Sequence, residues 1–137
     1  MSDLDTLMAA AIEIGHRYIP AFGLASWDIE VMWGTDLECR NGVDSVMAKT
    51  SMFVGEQRAA MRLNNEYDWD GWMNAGGDFR LIIAHELAHI VTVDTHFEFN
   101  GEFTPVNWED TIDRIALAIT RLEDGLDCEE RHEDIHA

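Results

Sequence analysis

The sequence predicts an α+β domain from three observations. Apolar residues recur at helical spacing over residues 3–19. Apolar and polar residues alternate over 27–33, with further strand-like runs at 47–54 and 58–63, and longer helical patterns cover 78–93 and 107–124. At 137 residues the chain fits one domain, residues 1–137, with a core over about 3–124 and an acidic tail over 125–137. That length buries enough surface to fold without a metal or a disulfide.

In the first helix Leu4, Leu7, Met8, Ala11, Ile12 and Ile19 share one face, Ser2 is available as an N-cap and Pro20 as a stop. Trp27 to Trp33 alternates as a half-buried strand does. Residues 47–54 and 58–63 flank Gly55, Glu56 and Gln57, which reads as a hairpin with a tight turn. The polar and aromatic stretch from Asn64 to Gly77 reads as a loop. Its DWDG run at 68–71 begins like a calcium loop but lacks the later oxygen ligands, so an ordinary Asp/Gly turn is expected.

The N-terminus begins with acids and is amphipathic rather than continuously apolar, against a secretory signal or a membrane span. Cys39 and Cys128 have no CxxC spacing and read as free thiols. The expected location is the cytoplasm. A net charge of −18, with Lys49 the only lysine, disfavours contact with nucleic-acid phosphates. It allows a solvated acidic face or a basic partner.

The chemistry is concentrated in a helix over Asp78 to Val93, whose Leu81, Ile82, Ile83, Leu87, Ile90 and Val91 make it almost wholly apolar. Within it lies HELAH. His85 and His89, four residues apart, project from one face on successive turns and can reach one Zn²⁺. Glu86, one residue round, can approach a water beside that ion without being a ligand, as a general base must. Imidazoles in so apolar a helix are costly to desolvate without partners.

Zinc in hydrolases normally takes three protein ligands. Downstream, Trp108, Ile112, Ile115, Ile119 and Leu122 recur at helical spacing, with Glu109 and Asp113 four apart beside them. Here AHELAHIVT at 84–92 followed by the ExxxD of Glu109 and Asp113 resembles the thermolysin-like gluzincins. The twenty residues from His89 to Glu109 suit that family, and Trp108, where an asparagine often stands, is a minor departure.

The resemblance implies a minimal zincin-like metallopeptidase core in which a small mixed sheet packs against the N-terminal helix, the HELAH helix and a C-terminal ligand helix. It implies His85, His89 and Glu109 as zinc ligands, Glu86 as general base and Asp113 as the carboxylate that orients a zinc-bound histidine. It also implies that extended peptide pairs with an edge strand over residues 48–54. His96, seven residues past His89, is the competing ligand and would resemble the SprT-like peptidases, although Asn100-Gly101 stands where their histidine and glycine would be. Asp94, Glu98 and Glu102 are further oxygen donors. Tyr67 and His96 have the chemistry to stabilise an oxyanion.

The expected activity is therefore a zinc-dependent metalloendopeptidase acting on a peptide or protein, with a basic substrate the one that the charge favours. A non-catalytic, zinc-binding acidic interaction protein is the alternative.

Overall fold

The computed structural model describes residues 3–41, 44–98 and 111–125. The apolar spacing near the start of the chain forms α1 (Asp3–Ala21), which buries Ala11, Ile14, Gly15 and Tyr18. Leu7, Met8 and Ile19 pack at the edge of this face, whereas Leu4 and Ile12 are exposed. Pro20 lies inside the last turn and does not stop the helix. Its missing N–H costs one hydrogen bond, but Phe22 still donates to Tyr18 O at 2.9 Å. The stop is Gly23, at φ 75°. Gly23 donates to Pro20 O and Leu24 to Ile19 O, both at 3.0 Å, the paired bonds of a Schellman motif.

Among the described residues five strands follow: β1 (Asp28–Gly34), β2 (Arg40–Asn41), β3 (Asp44–Ser45), β4 (Ala48–Phe53) and β5 (Arg58–Asn64). The short antiparallel β2–β3 ladder has no counterpart in the sequence pattern. The larger sheet has the order β1-β5-β4, with β1 parallel and β4 antiparallel to the central β5. The expected hairpin is thus present, closed by a 3-10 turn over Val54–Glu56 and by Gln57 in the left-handed region at φ 51°.

Register sorts the faces. Ile29, Val31 and Trp33 lie beside Ala59, Met61 and Leu63, which lie beside Met52, Thr50 and Ala48. Side chains alternate across a strand, so these nine share one face. The helices cover it: α1 packs against β1, and α3 (Phe79–Glu98) against both β4 and α1. The opposite face carries Asp28, Glu30, Lys49 and Arg58, all exposed.

The expected loop after β5 contains a helix, α2 (Trp69–Asn74). Asp68, first residue of DWDG, is its N-cap, accepting from Gly71 N at 3.0 Å. Burial of Trp69 anchors the turn: its ring meets Trp33, Tyr67, Trp72 and Phe79, and its Nε1 donates to Asn64 O at 2.8 Å.

α3 runs five residues beyond the expected end at Val93. Ile83, Ala84, Leu87, Ala88 and Ile90 are fully buried, which makes α3 the centre of the core. Residues 111–125 form α4. Of the expected stripe Ile112 is buried, Ile115 and Ile119 are half-buried and Leu122 is exposed, while Ala116 and Thr120 complete the buried face. Thr120 is tolerated inside because its hydroxyl donates to Leu117 O at 3.0 Å. Trp108 lies outside the described residues. No helix among the described residues is long and apolar enough to cross a membrane.

Candidate metal centre

His85 and His89 occupy successive turns of α3 on the face toward β4 and α4, each part-buried. Their Nε2 atoms approach to 3.1 Å, with the rings inclined at 69°. Two donors at 2.0–2.1 Å from one tetrahedral ion lie about 3.3 Å apart, so a cation between the rings needs little rearrangement of either. One ligand atom from each of His85, Glu86 and His89 can be chosen so that all lie within 4.8 Å of one another. Imidazole nitrogens with a carboxylate alongside are a donor set that zinc accepts.

Asp113 on α4 reaches the other side of the first ring, its Oδ1 2.9 Å from His85 Nδ1. A proton held on Nδ1 by that carboxylate leaves the Nε2 lone pair directed at His89. The carboxylate expected to orient a histidine is therefore in place to do so.

Glu86 is buried, with only 6% of its surface exposed. Its Oε1 accepts a hydrogen bond of 2.8 Å from Thr50 Oγ1 on β4. Its Oε2 lies 3.9 Å from His85 Nε2, beyond hydrogen-bond reach but beside the space that both rings face. The two oxygens thus have different surroundings.

These groups open on a cleft of about 720 Å³ between α3 and the β3–β4 segment. Val46, Met47, Met52 and Ile82 give it apolar walls, and Tyr67 also lines it. Lys49 borders the cleft through its place in β4, while its side chain lies on the other face of the strand, its Nζ donating to Arg40 O at 2.7 Å.

A second cluster fixes α4. The Arg80 guanidinium, near the start of α3, donates to Asp78 at 2.7 Å, to Glu123 at 2.7 Å and to Asp124 at 2.9 Å. Tyr18 OH donates to Glu123 Oε1 at 3.2 Å, joining α1 to the same point. The bond from Arg80 holds the Asp78 carboxyl below the usual carboxylate range, and Arg80 is raised in turn by its three acidic partners, Asp78 foremost. Burial pushes the Tyr18 hydroxyl up, with the Glu123 charge adding to it.

Of the expected site residues, His85, Glu86, His89 and Asp113 converge. Glu109 and Glu102 lie outside the described residues, as do the side chains of Asp94, His96 and Glu98. Thr50 was not among the expected residues. Its signal was available: alternation places it with Ala48 and Met52 on the core face of β4, where a hydroxyl needs a buried partner. No family model matches the chain, and neither the curated proteins nor the solved structures contain a detectable relative.

Proposed function

We propose that this protein is a zinc-dependent metalloendopeptidase of the gluzincin kind. The observation that carries the reading is the convergence of two histidine Nε2 atoms 3.1 Å apart with a buried carboxylate alongside, one ring backed by Asp113. Glu109 stands four residues before Asp113 and supplies the third ligand, an oxygen. Bound there, zinc would acidify water and polarise the scissile carbonyl.

The protein's own groups do the rest. Glu86 accepts the proton from the attacking water and delivers it to the departing amine. Tyr67, on the cleft wall, is the donor available to the developing oxyanion. Substrate lies extended along β4, which among the described residues pairs with another strand only through β5 and so has an edge for main-chain pairing. With a net charge of −18, the protein favours peptides carrying basic residues.

The test is zinc content and peptide turnover in three proteins. Wild type binds one zinc and cleaves. Glu86→Gln keeps zinc and loses about 10²–10⁴-fold in kcat, the span general base catalysis supplies. Glu109→Ala loses zinc affinity. Undiminished turnover in Glu86→Gln removes the mechanism, and full zinc occupancy in Glu109→Ala moves the third ligand elsewhere, with His96 first in line. The charge favours a second reading, a non-catalytic acidic protein whose zinc site is structural or vestigial and whose acidic surface holds a basic partner. Salt-sensitive capture of a partner by Glu86→Gln, with no cleavage by wild type, selects it.

A further inference from the structure

We infer that Thr50 is the positioning residue that keeps Glu86 a base and prevents it from becoming a metal ligand. The inference rests on the zinc site proposed above and adds to it a residue on the strand that would hold substrate.

A glutamate next to a histidine ligand faces a chemical ambiguity. Its carboxylate can take a proton from water, or it can rotate about its terminal torsion and coordinate the ion. That torsion is soft and roughly two-fold, so rotamer preference alone does not decide between the two. A directional hydrogen bond to one oxygen does. Thr50 Oγ1 donates to Oε1 at 2.8 Å, which draws that oxygen toward β4. Oε2 is left 3.9 Å from His85 Nε2, beside the space the two imidazoles face.

The donor is itself held firmly. Thr50 is β-branched, so few χ1 positions are open to it on a strand. Its position is fixed from both sides: Thr50 pairs with fully buried Met61 on β5, and β4 packs against α3. Loss of the hydroxyl would cost more than loss of a surface contact, because Glu86 is buried and a hydrogen bond to a charged group is among the stronger kinds.

Thr50→Val keeps the branched shape and removes the donor, whereas Thr50→Ser keeps the donor and removes a methyl. Each is compared with wild type in kcat and KM on a mixture of internally quenched peptides, in zinc affinity, and in the visible spectrum of the cobalt(II)-substituted protein. Thr50→Val is expected to lower kcat by about 10–100-fold, the range for losing a hydrogen bond to a charged group, with KM changed less than about two-fold. Zinc affinity should be equal or tighter, since the freed carboxylate can coordinate, and the cobalt spectrum should shift for the same reason. Thr50→Ser should recover most of the rate and the wild-type spectrum.

A merely structural role predicts the reverse order, since valine suits a half-buried strand better than serine. The inference is overturned if Thr50→Val matches wild type in kcat and spectrum, or if Thr50→Ser is as impaired as Thr50→Val. Should wild type cleave no peptide, the peptidase reading fails and the spectra decide the positioning role alone. A shift in Thr50→Val that Thr50→Ser lacks supports it, and three identical spectra overturn it.

Discussion

Replacing Asp113 tests whether α4 takes part in metal binding. Asp113 Oδ1 lies 2.9 Å from His85 Nδ1, a distance at which the carboxylate fixes the ring's tautomer and orientation. Groups in that position are typically worth about 10–100-fold in metal affinity. The Asp113 side chain is 69% exposed, so water competes for its oxygens and the lower end applies. Asp113→Ala should therefore weaken zinc binding about 10-fold, roughly 1.4 kcal/mol. Asp113→Asn keeps an oxygen acceptor and loses the charge, so it should fall between Asp113→Ala and wild type.

The measurement is competition against a zinc chelator of known affinity, at fixed pH and ionic strength. Asp70→Asn, an exposed acid on α2, controls for removing one negative charge from a strongly acidic protein. Equal affinities for Asp113→Ala and wild type would refute the orientation argument. So would a loss in Asp70→Asn as large as that in Asp113→Ala, because the effect would then be long-range charge rather than a hydrogen bond.

Two further predictions concern stability. Arg80→Met removes the donor shared by Asp78, Glu123 and Asp124, and should cost about 1–2 kcal/mol in urea unfolding at neutral pH, after allowance for solvent at this half-open site. The folded pKa of Asp78 is depressed, so its contribution is present above the ordinary carboxylate pKa of about 4 and is lost as pH falls through the lowered folded value. The gap between wild type and Arg80→Met should therefore narrow in acid, and a gap independent of pH would refute the assignment. Gly23→Ala places a side chain at φ 75°, where its Cβ would meet nothing within 4 Å, so the cost is purely conformational, about 1 kcal/mol. Gly23→Asn should lose less, and thermal melts of the two variants would show that order.

How legible each part was depended on whether local chemistry or distant packing decided it. The α3 helix was readable because apolar residues crowd it on every side, and HELAH spacing alone put both imidazoles on one face. Pro20 does not end α1, since a proline in the last turn removes one donor while Gly23, three residues later, supplies the left-handed conformation that turns the chain. α2 escaped notice because six residues are too few to show a period, and the segment is held by burial of Trp69 rather than by helix propensity. The α4 face was legible at Ile112, which is buried, but Leu122 is exposed, and the small Ala116 and Thr120 that complete the buried face carry too weak an apolar signal to stand out in the sequence. Asp113 could be named from the ExxxD pattern, but its contact with His85 depends on how α4 docks.

Strand register, more than any single residue, determines what faces Glu86. Thr50 points at the carboxylate because β4 pairs with β5 so that residues 48, 50 and 52 face the helices. A slip of one residue would invert every side chain of β4 and turn Lys49 or Ser51 inward. An inward ammonium at that place would pair with Glu86 and hold its carboxylate in an ion pair, which would take it out of the role proposed for it. Two features oppose the slip. The turn through Val54–Glu56 and left-handed Gln57 fixes where β5 begins relative to Phe53, and a slip would also expose Met52 while turning the charge of Lys49 toward the core. The same pairing that completes the core thus keeps the sole lysine on the outer face, and substitutions in the turn should disturb the chemistry of Glu86 without touching it.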